Sequence, residues 1–258
     1  MSEKSLDTYL DLCTEVYDLS KPNAPEEAYE FYRSYAVLTK GPILEPMCGT
    51  GRFLIPLCKE NFDIYGFDAS TYMLSRLKEK AQRQNLQPKV WQGFLEDLNL
   101  ETKYNLIFLP SGSFGLITDL EQVKSCLKIL LNHLSSEGIL LFETETLISN
   151  PNNSTISKVG IWTGNTFNRE DGKMIILSIL AHPIEDDISA FTCRYELVDH
   201  NKIINTEIEL IKVRLYDIQQ LSQILREVGF SRVKVMKPFD KEQIPSAEDE
   251  LVVFECKQ

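Results

Sequence analysis

The stretch from residue 41 to residue 80 constrains the fold of this chain more than any other. It reads as a short apolar strand, a turn containing Gly49 and Gly51, a helix, a second buried strand and a second helix. Glycines in such a turn let backbone N–H groups approach a ligand closely. The second strand ends at Asp68, and a carboxylate about twenty residues after the turn binds ribose hydroxyls in nucleotide-binding βαβ units. The stretch therefore predicts a βαβ unit with a nucleotide-type site.

The rest of the chain continues the alternation of strand and helix. The further core elements predicted after residue 80 are strands at 89–92, 104–109 and 139–142, helices at 119–133 and 216–228, and two last strands at 232–236 and 251–255. Asp119 is predicted to cap the first of these helices. Strands that alternate with helices predict a parallel sheet with right-handed crossovers and helices on both faces. We therefore expect an α/β fold with a doubly wound, mostly parallel seven-stranded sheet.

The segment between the fifth strand and the last helix has a different pattern. From residue 158 to residue 215 it shows alternating, β-rich runs separated by turn residues and no strong helical period. Such runs predict hairpin-linked antiparallel strands. We therefore expect an antiparallel β insert after the fifth strand.

Composition excludes several classes of partner. The formal net charge of −11 disfavours a nucleic-acid partner, because the phosphate backbone is itself anionic. The six cysteines are scattered without a Cys-x-x-Cys pair, so we expect no metal site and a reducing compartment. The sequence shows neither a signal-peptide pattern nor an apolar run of membrane-spanning length, so we expect no membrane partner and a cytoplasmic location.

Three motifs resemble those of a known family. The segments GPILEPMCGTGRFLIPL and YGFDASTYMLSRLKEKA resemble motifs I and II of class I S-adenosylmethionine-dependent methyltransferases of the domain 25 and type 12 kind. The segment PSGSF at 110–114 resembles motif IV of the small-molecule enzymes, not the Asn-Pro-Pro-Tyr form found in enzymes that methylate nucleic-acid amines. The resemblance implies a Rossmann-like fold, S-adenosyl-L-methionine as cofactor, S-adenosyl-L-homocysteine as product, and in-line methyl transfer to a small-molecule acceptor.

Two residues depart from the family pattern. Met47 stands where the first glycine of motif I is usual, and Phe94 stands where an aspartate usually binds the adenine amine. These departures keep open an alternative in which the chain is an S-adenosylmethionine-binding regulatory or non-catalytic protein. A nicotinamide dehydrogenase is disfavoured, because its fingerprint requires a glycine at the position of Leu54.

The resemblance also assigns candidate site residues. It places the methionine part of the cofactor on Glu45 and the glycine turn, the ribose on Asp68, and the adenine between Met73 and the residue pair 94–95. The full set of cofactor-binding candidates is Glu45, Met47, Gly49, Gly51, Arg52, Asp68, Ala69, Met73, Phe94, Leu95, Glu96, Leu109, Pro110, Ser111 and Phe114.

No catalytic base is identified from the sequence, but three residues are candidates. Glu143 and Glu145 follow the fifth strand, and strand alternation puts both on the same face. Tyr17 belongs to a Tyr-Asp pair of the kind that precedes motif I in the small-molecule enzymes. For Tyr17 and Tyr32 two interpretations stay open: closure over cofactor and substrate, or packing on the sheet.

These elements predict four regions. Residues 1–40 form an N-terminal helical lid whose first helix spans residues 5–20, and residues 41–150 form the cofactor-binding α/β core. Residues 151–213 form the antiparallel insert, which covers the substrate or forms a homodimer interface. Residues 214–258 complete the core sheet.

Overall fold

The computed structural model of the chain describes residues 4, 6–150, 159–185 and 187–258. The first eight residues of the predicted insert, 151–158, lie outside the described residues, as do residues 1–3 and 5 of the predicted lid. The helices are α1 (Asp11–Ser20), α2 (Glu26–Thr39), α3 (Leu54–Lys59), α4 (Thr71–Arg83), α5 (Leu120–His133) and α6 (Ile218–Val228). The strands are β1 (Ile43–Pro46), β2 (Ile64–Asp68), β3 (Lys89–Gln92), β4 (Tyr104–Leu109), β5 (Leu134–Glu145), β6 (Trp162–Asn168), β7 (Met174–Glu185), β8 (Ile188–Asp199), β9 (Lys202–Arg214), β10 (Arg232–Met236) and β11 (Leu251–Lys257).

Seven strands form the main sheet, in the order β10-β11-β5-β4-β1-β2-β3. The pairs from β5 to β3 are parallel, and β11 runs antiparallel to both β5 and β10. β1 is central, with Ile43 opposite Ile64 of β2 and Leu106 of β4. The predicted doubly wound, mostly parallel seven-stranded fold is confirmed.

Helices cover both faces of this sheet because its strands are apolar on both sides. Helices α5 and α6 bury Leu127 and Leu225 in the core on one face. On the other face, α3 and α4 bury Leu54 and Leu77 in a second core. Helix α2 packs in this second core, where Tyr32 is fully buried. The interpretation that Tyr32 closes over the cofactor is therefore wrong, since its ring belongs to the hydrophobic core.

Several helix boundaries differ from the sequence-based prediction. The first helix was expected from residue 5 but begins at Asp11, because the chain turns at Tyr9, which has φ +56°. Helix α6 begins after Asp217, whose side chain accepts a hydrogen bond from the Gln220 backbone N–H (2.9 Å). Asp119 caps α5 in the same way, as predicted.

The predicted antiparallel insert is a separate four-stranded sheet in the order β6-β7-β8-β9. Among the described residues, its first strand begins at Trp162, whereas the β-rich pattern begins earlier in the sequence, and Val159 forms an isolated bridge with Ala181. One face of the sheet packs against α1 through a small core. That core consists of Leu12, Cys13, Val16, Ile175, Leu177, Cys193 and Tyr195. Helix α1 therefore packs on the insert, whereas α2 packs on the main sheet.

In the part of the chain that the structure describes, no helix combines the length and the apolar character that crossing a membrane requires.

Candidate functional site

The candidate site lies at the carboxyl edge of the parallel strands, where β1 has β2 on one side and β4 on the other. The chain leaves β1 and β4 in opposite directions along the sheet, so a crevice opens between their carboxyl ends. Ligands of open α/β sheets bind in such a crevice. The loops that follow β1, β2, β3 and β4 converge there.

The glycine turn after β1 is shaped by three residues in the left-handed region. These are Met47 (φ +57°), Gly49 (φ +54°) and Gly51 (φ +79°). Left-handed backbone costs a non-glycine residue about 1 to 2 kcal/mol, which accounts for the glycine usual at the position of Met47 in the motif that this segment resembles. The turn is tied to β2 by a hydrogen bond from the Cys48 backbone N–H to the Phe67 carbonyl (3.0 Å).

Asp68 is held at the end of β2 by two backbone donors. Its carboxylate accepts hydrogen bonds from the Gly49 N–H (2.8 Å) and from the Ser70 N–H (2.8 Å). Burial raises the pKa of Asp68, and these backbone donors oppose the shift by stabilising the charged form. The glycine turn and the acidic residue predicted from their spacing are therefore in direct contact, and both border the same cavity.

Glu45 lies beneath the glycine turn. It is only 2% exposed, and its Oε2 atom has no hydrogen-bond partner within the described residues. Burial holds the pKa of Glu45 well above its usual range, although the Arg52 guanidinium and the Leu54 backbone N–H lower it. The site therefore contains a buried carboxyl group with an unused acceptor.

Arg52 connects the turn to two other elements. Its guanidinium donates a hydrogen bond to Ser111 Oγ (2.8 Å) in the loop after β4. It also lies over the Tyr17 ring of α1, 5.2 Å from the ring centroid. Because Arg52 is 8% exposed, this cation contacts protein groups more than solvent.

A cavity of about 550 Å³ borders these groups. The predicted residues that line it are Met47, Gly49, Asp68, Ala69, Met73, Phe94, Leu95, Glu96 and Ser111, together with the catalytic candidates Tyr17 and Glu145. The remaining cofactor candidates do not line it: Glu45, Gly51, Arg52, Leu109, Pro110 and Phe114 are buried behind its wall. Phe114, for example, packs in the core against Phe142 and Tyr216, with its ring tilted relative to both.

A second, more open cavity of about 520 Å³ adjoins the first. Both cavities are bordered by Ser111 and Glu145, and the second is also bordered by Arg52 and Glu143. The Tyr32 hydroxyl donates a hydrogen bond to Glu143 Oε1 (2.6 Å) inside the protein. Of the three catalytic candidates, Tyr17 therefore borders the first cavity, Glu143 the second, and Glu145 both.

Burial raises the pKa of both glutamates. For Glu143 the Tyr32 hydroxyl, the Ser111 backbone N–H and the Arg52 guanidinium oppose the shift. For Glu145 the Ser149 hydroxyl opposes it. Raised carboxylate pKa values suit proton acceptance near neutral pH.

The first cavity also has walls that sequence reasoning missed. They come from the N-terminal segment, at Leu6, Thr8 and Tyr9, and from residues 210–213 of β9. Helix α1 is fastened over the glycine turn by Asp18, which accepts hydrogen bonds from Thr50 Oγ1 (2.7 Å) and Lys80 Nζ (2.8 Å). No local signal marks these walls, because the contacts join segments far apart in sequence.

Comparisons with known proteins agree with this geometry. A family model described as a methyltransferase domain matches residues 43–138, from β1 to β5. A protein of Geobacillus sp. (strain WCH70) named "Putative methyltransferase GWCH70_2453" is 25% identical over 256 residues, covering 94% of this chain and 96% of that protein.

Solved structures share the fold. An S-adenosylmethionine-dependent methyltransferase from Clostridium acetobutylicum ATCC 824 is similar with a TM-score of 0.72 and 20% identity, over 94% of this chain and 96% of that chain. The sugar N-methyltransferase KedS8 from Streptoalloteichus sp. ATCC 53650 has a TM-score of 0.74 and 16% identity, over 100% of this chain and 99% of that chain. Residues 43–138 therefore match a methyltransferase domain, and the whole chain shares its fold with these methyltransferase structures.

Proposed function

We propose that the protein binds S-adenosylmethionine in the 550 Å³ cavity and methylates an amine of a small-molecule acceptor that enters through the adjoining cavity. The observation that carries this proposal is the pair of contiguous cavities that share Ser111 and Glu145. One is built on the glycine turn and Asp68, and the other is lined by the carboxylates of Glu143 and Glu145 together with the cations Lys21 and Arg52.

The residues of the first cavity fit the cofactor. Its volume lies within the range of about 300 to 1,000 Å³ usual for small-molecule sites. Asp68 presents a carboxylate to ribose hydroxyls, and the Met73, Phe94 and Leu95 side chains offer an apolar slot to adenine. Phe94 accepts no hydrogen bond from the adenine amine, so apolar contact replaces the usual aspartate there.

Glu45 fits the cofactor in a different way. Its unpaired Oε2 lies under the turn that would carry the methionine part, where a cationic amino group compensates buried negative charge. The bound cofactor supplies a methyl group on a positively charged sulfur. The chain's own contribution is to align the acceptor with that methyl group and to exclude water.

The chemistry of the second cavity favours an amine acceptor. Glu143 and Glu145 place two carboxylates there, and an ammonium group is their natural partner. An ammonium group must lose a proton before it can act as a nucleophile, and the Glu145 carboxylate is the proton acceptor that borders both cavities. The N-methyltransferase activity in the name of KedS8 supports the same assignment.

The test of cofactor binding is calorimetry with S-adenosylmethionine on the wild type and on Asp68→Ala. We expect the wild type to bind and Asp68→Ala to bind at least tenfold more weakly, because the ribose loses charge-assisted hydrogen bonds. Asp63→Ala is the matched control, since this exposed aspartate pairs with Lys89 at the other end of β2 (2.6 Å). The absence of binding by the wild type contradicts the proposal.

The test of the acceptor class is a methylation screen against matched amines, alcohols and carboxylic acids, with the Glu145→Gln variant alongside. We expect methylated products from amines, and a lower kcat for Glu145→Gln with unchanged S-adenosylmethionine affinity. Products formed only from alcohols or carboxylic acids contradict the assignment.

We also propose that the insert sheet joins two copies of the chain. Its face opposite α1 exposes large apolar side chains, with Trp162, Met174 and Ile208 between 36% and 62% accessible. Four strands spaced about 4.8 Å apart, of seven to thirteen residues each, present roughly 700 Å². A standard dimer interface needs about 800 Å² per partner. We expect a dimer in sedimentation velocity and a monomer for Ile208→Lys; a monomeric wild type at micromolar concentration contradicts this proposal.

A further inference from the structure

Tyr9 has an unusual backbone conformation at the edge of the cofactor cavity. Its φ of +56° lies in the left-handed region, which is sterically unfavourable for a bulky residue. Tyr9 is one of the residues that line the cavity bordered by Asp68, and its side chain also packs against the small core between α1 and the insert. Strained residues at a cavity wall persist only where surrounding contacts impose the conformation.

The contact that imposes it comes from the insert sheet. Glu209 of β9 is 1% exposed, and its two carboxylate oxygens accept hydrogen bonds from the backbone N–H groups of Tyr9 and Leu10 (2.9 Å each). Two bonds to one buried carboxylate define the direction of two consecutive peptide groups, and charge-assisted bonds of this kind are strong.

Glu207, a neighbour of Glu209 on β9, supplies the cap that α1 lacks. Leu10, the N-cap residue, offers no side-chain acceptor to the first turn. Glu207, two residues before Glu209 on the same face of β9, accepts the Leu12 N–H (2.8 Å). Carboxylates at a helix N-terminus are stabilised by the helix dipole, so the insert sheet and the start of α1 form one unit.

The core sheet holds Tyr9 from the other side. Ser70 Oγ donates a hydrogen bond to the Tyr9 carbonyl oxygen (2.6 Å). Ser70 directly follows the loop that Asp68 anchors, since the Ser70 N–H bonds to the Asp68 carboxylate. Tyr9 therefore lies between a carboxylate of the insert and the ribose-binding end of the core.

We propose that Glu209 is a positioning residue of the cofactor site: it holds Tyr9 in the left-handed conformation that closes the cavity beside Asp68. The inference rests on the proposed function, because the ligand retained is S-adenosylmethionine or S-adenosylhomocysteine. It gives the insert a role in cofactor retention that is independent of the acceptor.

The first experiment compares Glu209→Gln with wild type by two measurements. Hydrogen exchange without cofactor reports on the Tyr9 and Leu10 amides, and we expect their exchange to be at least tenfold faster in the variant. Calorimetry with S-adenosylhomocysteine reports on the site, and we expect roughly tenfold weaker binding, the effect of losing one charge-assisted hydrogen bond. Glu207→Gln is the matched comparison, because Glu207 lies on the same strand and face as Glu209 but accepts its hydrogen bond from the Leu12 N–H. We expect this variant to lose at most threefold in S-adenosylhomocysteine affinity.

A second variant separates positioning from folding. Glycine adopts left-handed backbone without strain, so Tyr9→Gly keeps the chain path and removes only the ring. We expect Tyr9→Gly to weaken S-adenosylhomocysteine binding about as much as Glu209→Gln. In the Tyr9→Gly background, Glu209→Gln is expected to add less than threefold, because there is no side chain left to position.

Each outcome decides between the two proposals. If the wild type binds S-adenosylhomocysteine, and folded Glu209→Gln or Tyr9→Gly binds it with the same affinity, this inference is overturned and the proposed function stays intact. Equal losses from Glu209→Gln in both backgrounds also overturn it. Failure of the wild type to bind S-adenosylhomocysteine overturns both, whereas the exchange measurement needs no cofactor and tests the Glu209 contact alone.

Discussion

The Tyr32→Phe substitution tests the buried hydrogen bond that links α2 to the acceptor side of the site. Tyr32 is fully buried, and its hydroxyl donates to Glu143 Oε1 at 2.6 Å. The substitution removes one oxygen without changing the ring, so it leaves the packing against Phe53 and Phe108 in place. Glu143 then loses a donor in an environment where burial already raises its pKa.

The expected cost is that of losing a hydrogen bond to a charged group, about 1.5 to 3 kcal/mol. An unfolding entropy of about 2.1 cal/mol/K per residue gives this chain of 258 residues roughly 0.5 kcal/mol per kelvin at the midpoint. We therefore expect the melting temperature at neutral pH to fall by about 3 to 6 °C.

The stability loss caused by Tyr32→Phe is expected to depend on pH. The folded-state pKa of Glu143 is raised, so the stability associated with its neutral form is lost as the pH rises through that pKa. Removing the Tyr32 donor raises this pKa further and makes the loss larger. The difference between variant and wild type is therefore expected to be greatest at neutral pH and to shrink as the pH falls toward 4.

The assay is thermal unfolding by calorimetry between pH 4 and pH 8, with Tyr35→Phe as the matched control. Tyr35 lies on the same helix and donates to Glu255 at the same 2.6 Å, but Glu255 is only partly buried. We expect the melting temperature of the Tyr35→Phe control to fall by less than about 2 °C. A Tyr32→Phe loss that equals the control, or that is unchanged between pH 8 and pH 4, refutes the reasoning.

Three further substitutions probe the turn after β1. Glu45→Gln is expected to raise the unfolding free energy of the unliganded protein by about 1 to 3 kcal/mol at pH 7, because the raised pKa of this carboxyl makes its ionised form costly there. In thermal unfolding this gain is expected to vanish at acid pH, where the carboxyl is neutral. In calorimetry, we expect the variant to bind S-adenosylmethionine more weakly than the wild type. Gly51→Ala is expected to lower the free energy of unfolding, measured with denaturant, by about 2 to 4 kcal/mol, because φ is +79° and the new Cβ would lie 2.8 Å from Leu77 Cγ. Met47→Gly relieves the left-handed strain but loses part of the side-chain packing, so we expect the unfolding free energy to change by less than about 1 kcal/mol. We expect the affinity for the cofactor to be unchanged, because glycine keeps the same backbone path. A tenfold weaker affinity would show that the Met47 side chain itself is needed for binding.

The alternation of elements in the core was predictable because its signals are local. The apolar run of β4, the Asp119 cap of α5 and the glycine turn each depend on residues within a few positions of one another. The contact between Asp68 and the Gly49 N–H follows from the same short-range logic, since one βαβ unit contains both residues.

The walls of the site depended on contacts that local signals do not encode. The chain turns at Tyr9, where a continuous helix was expected, and the backbone N–H groups of Tyr9 and Leu10 donate there to Glu209, which is about two hundred residues away in sequence. Tyr32 and Tyr17 have the same residue type and both lie on aromatic-rich N-terminal helices. One is buried against the sheet and the other borders the cavity, because α2 packs on the core and α1 on the insert.

The sequence by itself determined the fold class, the alternation of strands and helices along the core and the glycine–aspartate pair, because hydrophobic period and turn chemistry act over a few residues. Only the tertiary structure decided which of the candidate residues face the cavity. Leu109 and Phe114 are buried behind it, whereas Glu145 borders both cavities. That choice depends on how the insert and α1 pack over the carboxyl edge of the sheet, and such packing is a property of the whole chain.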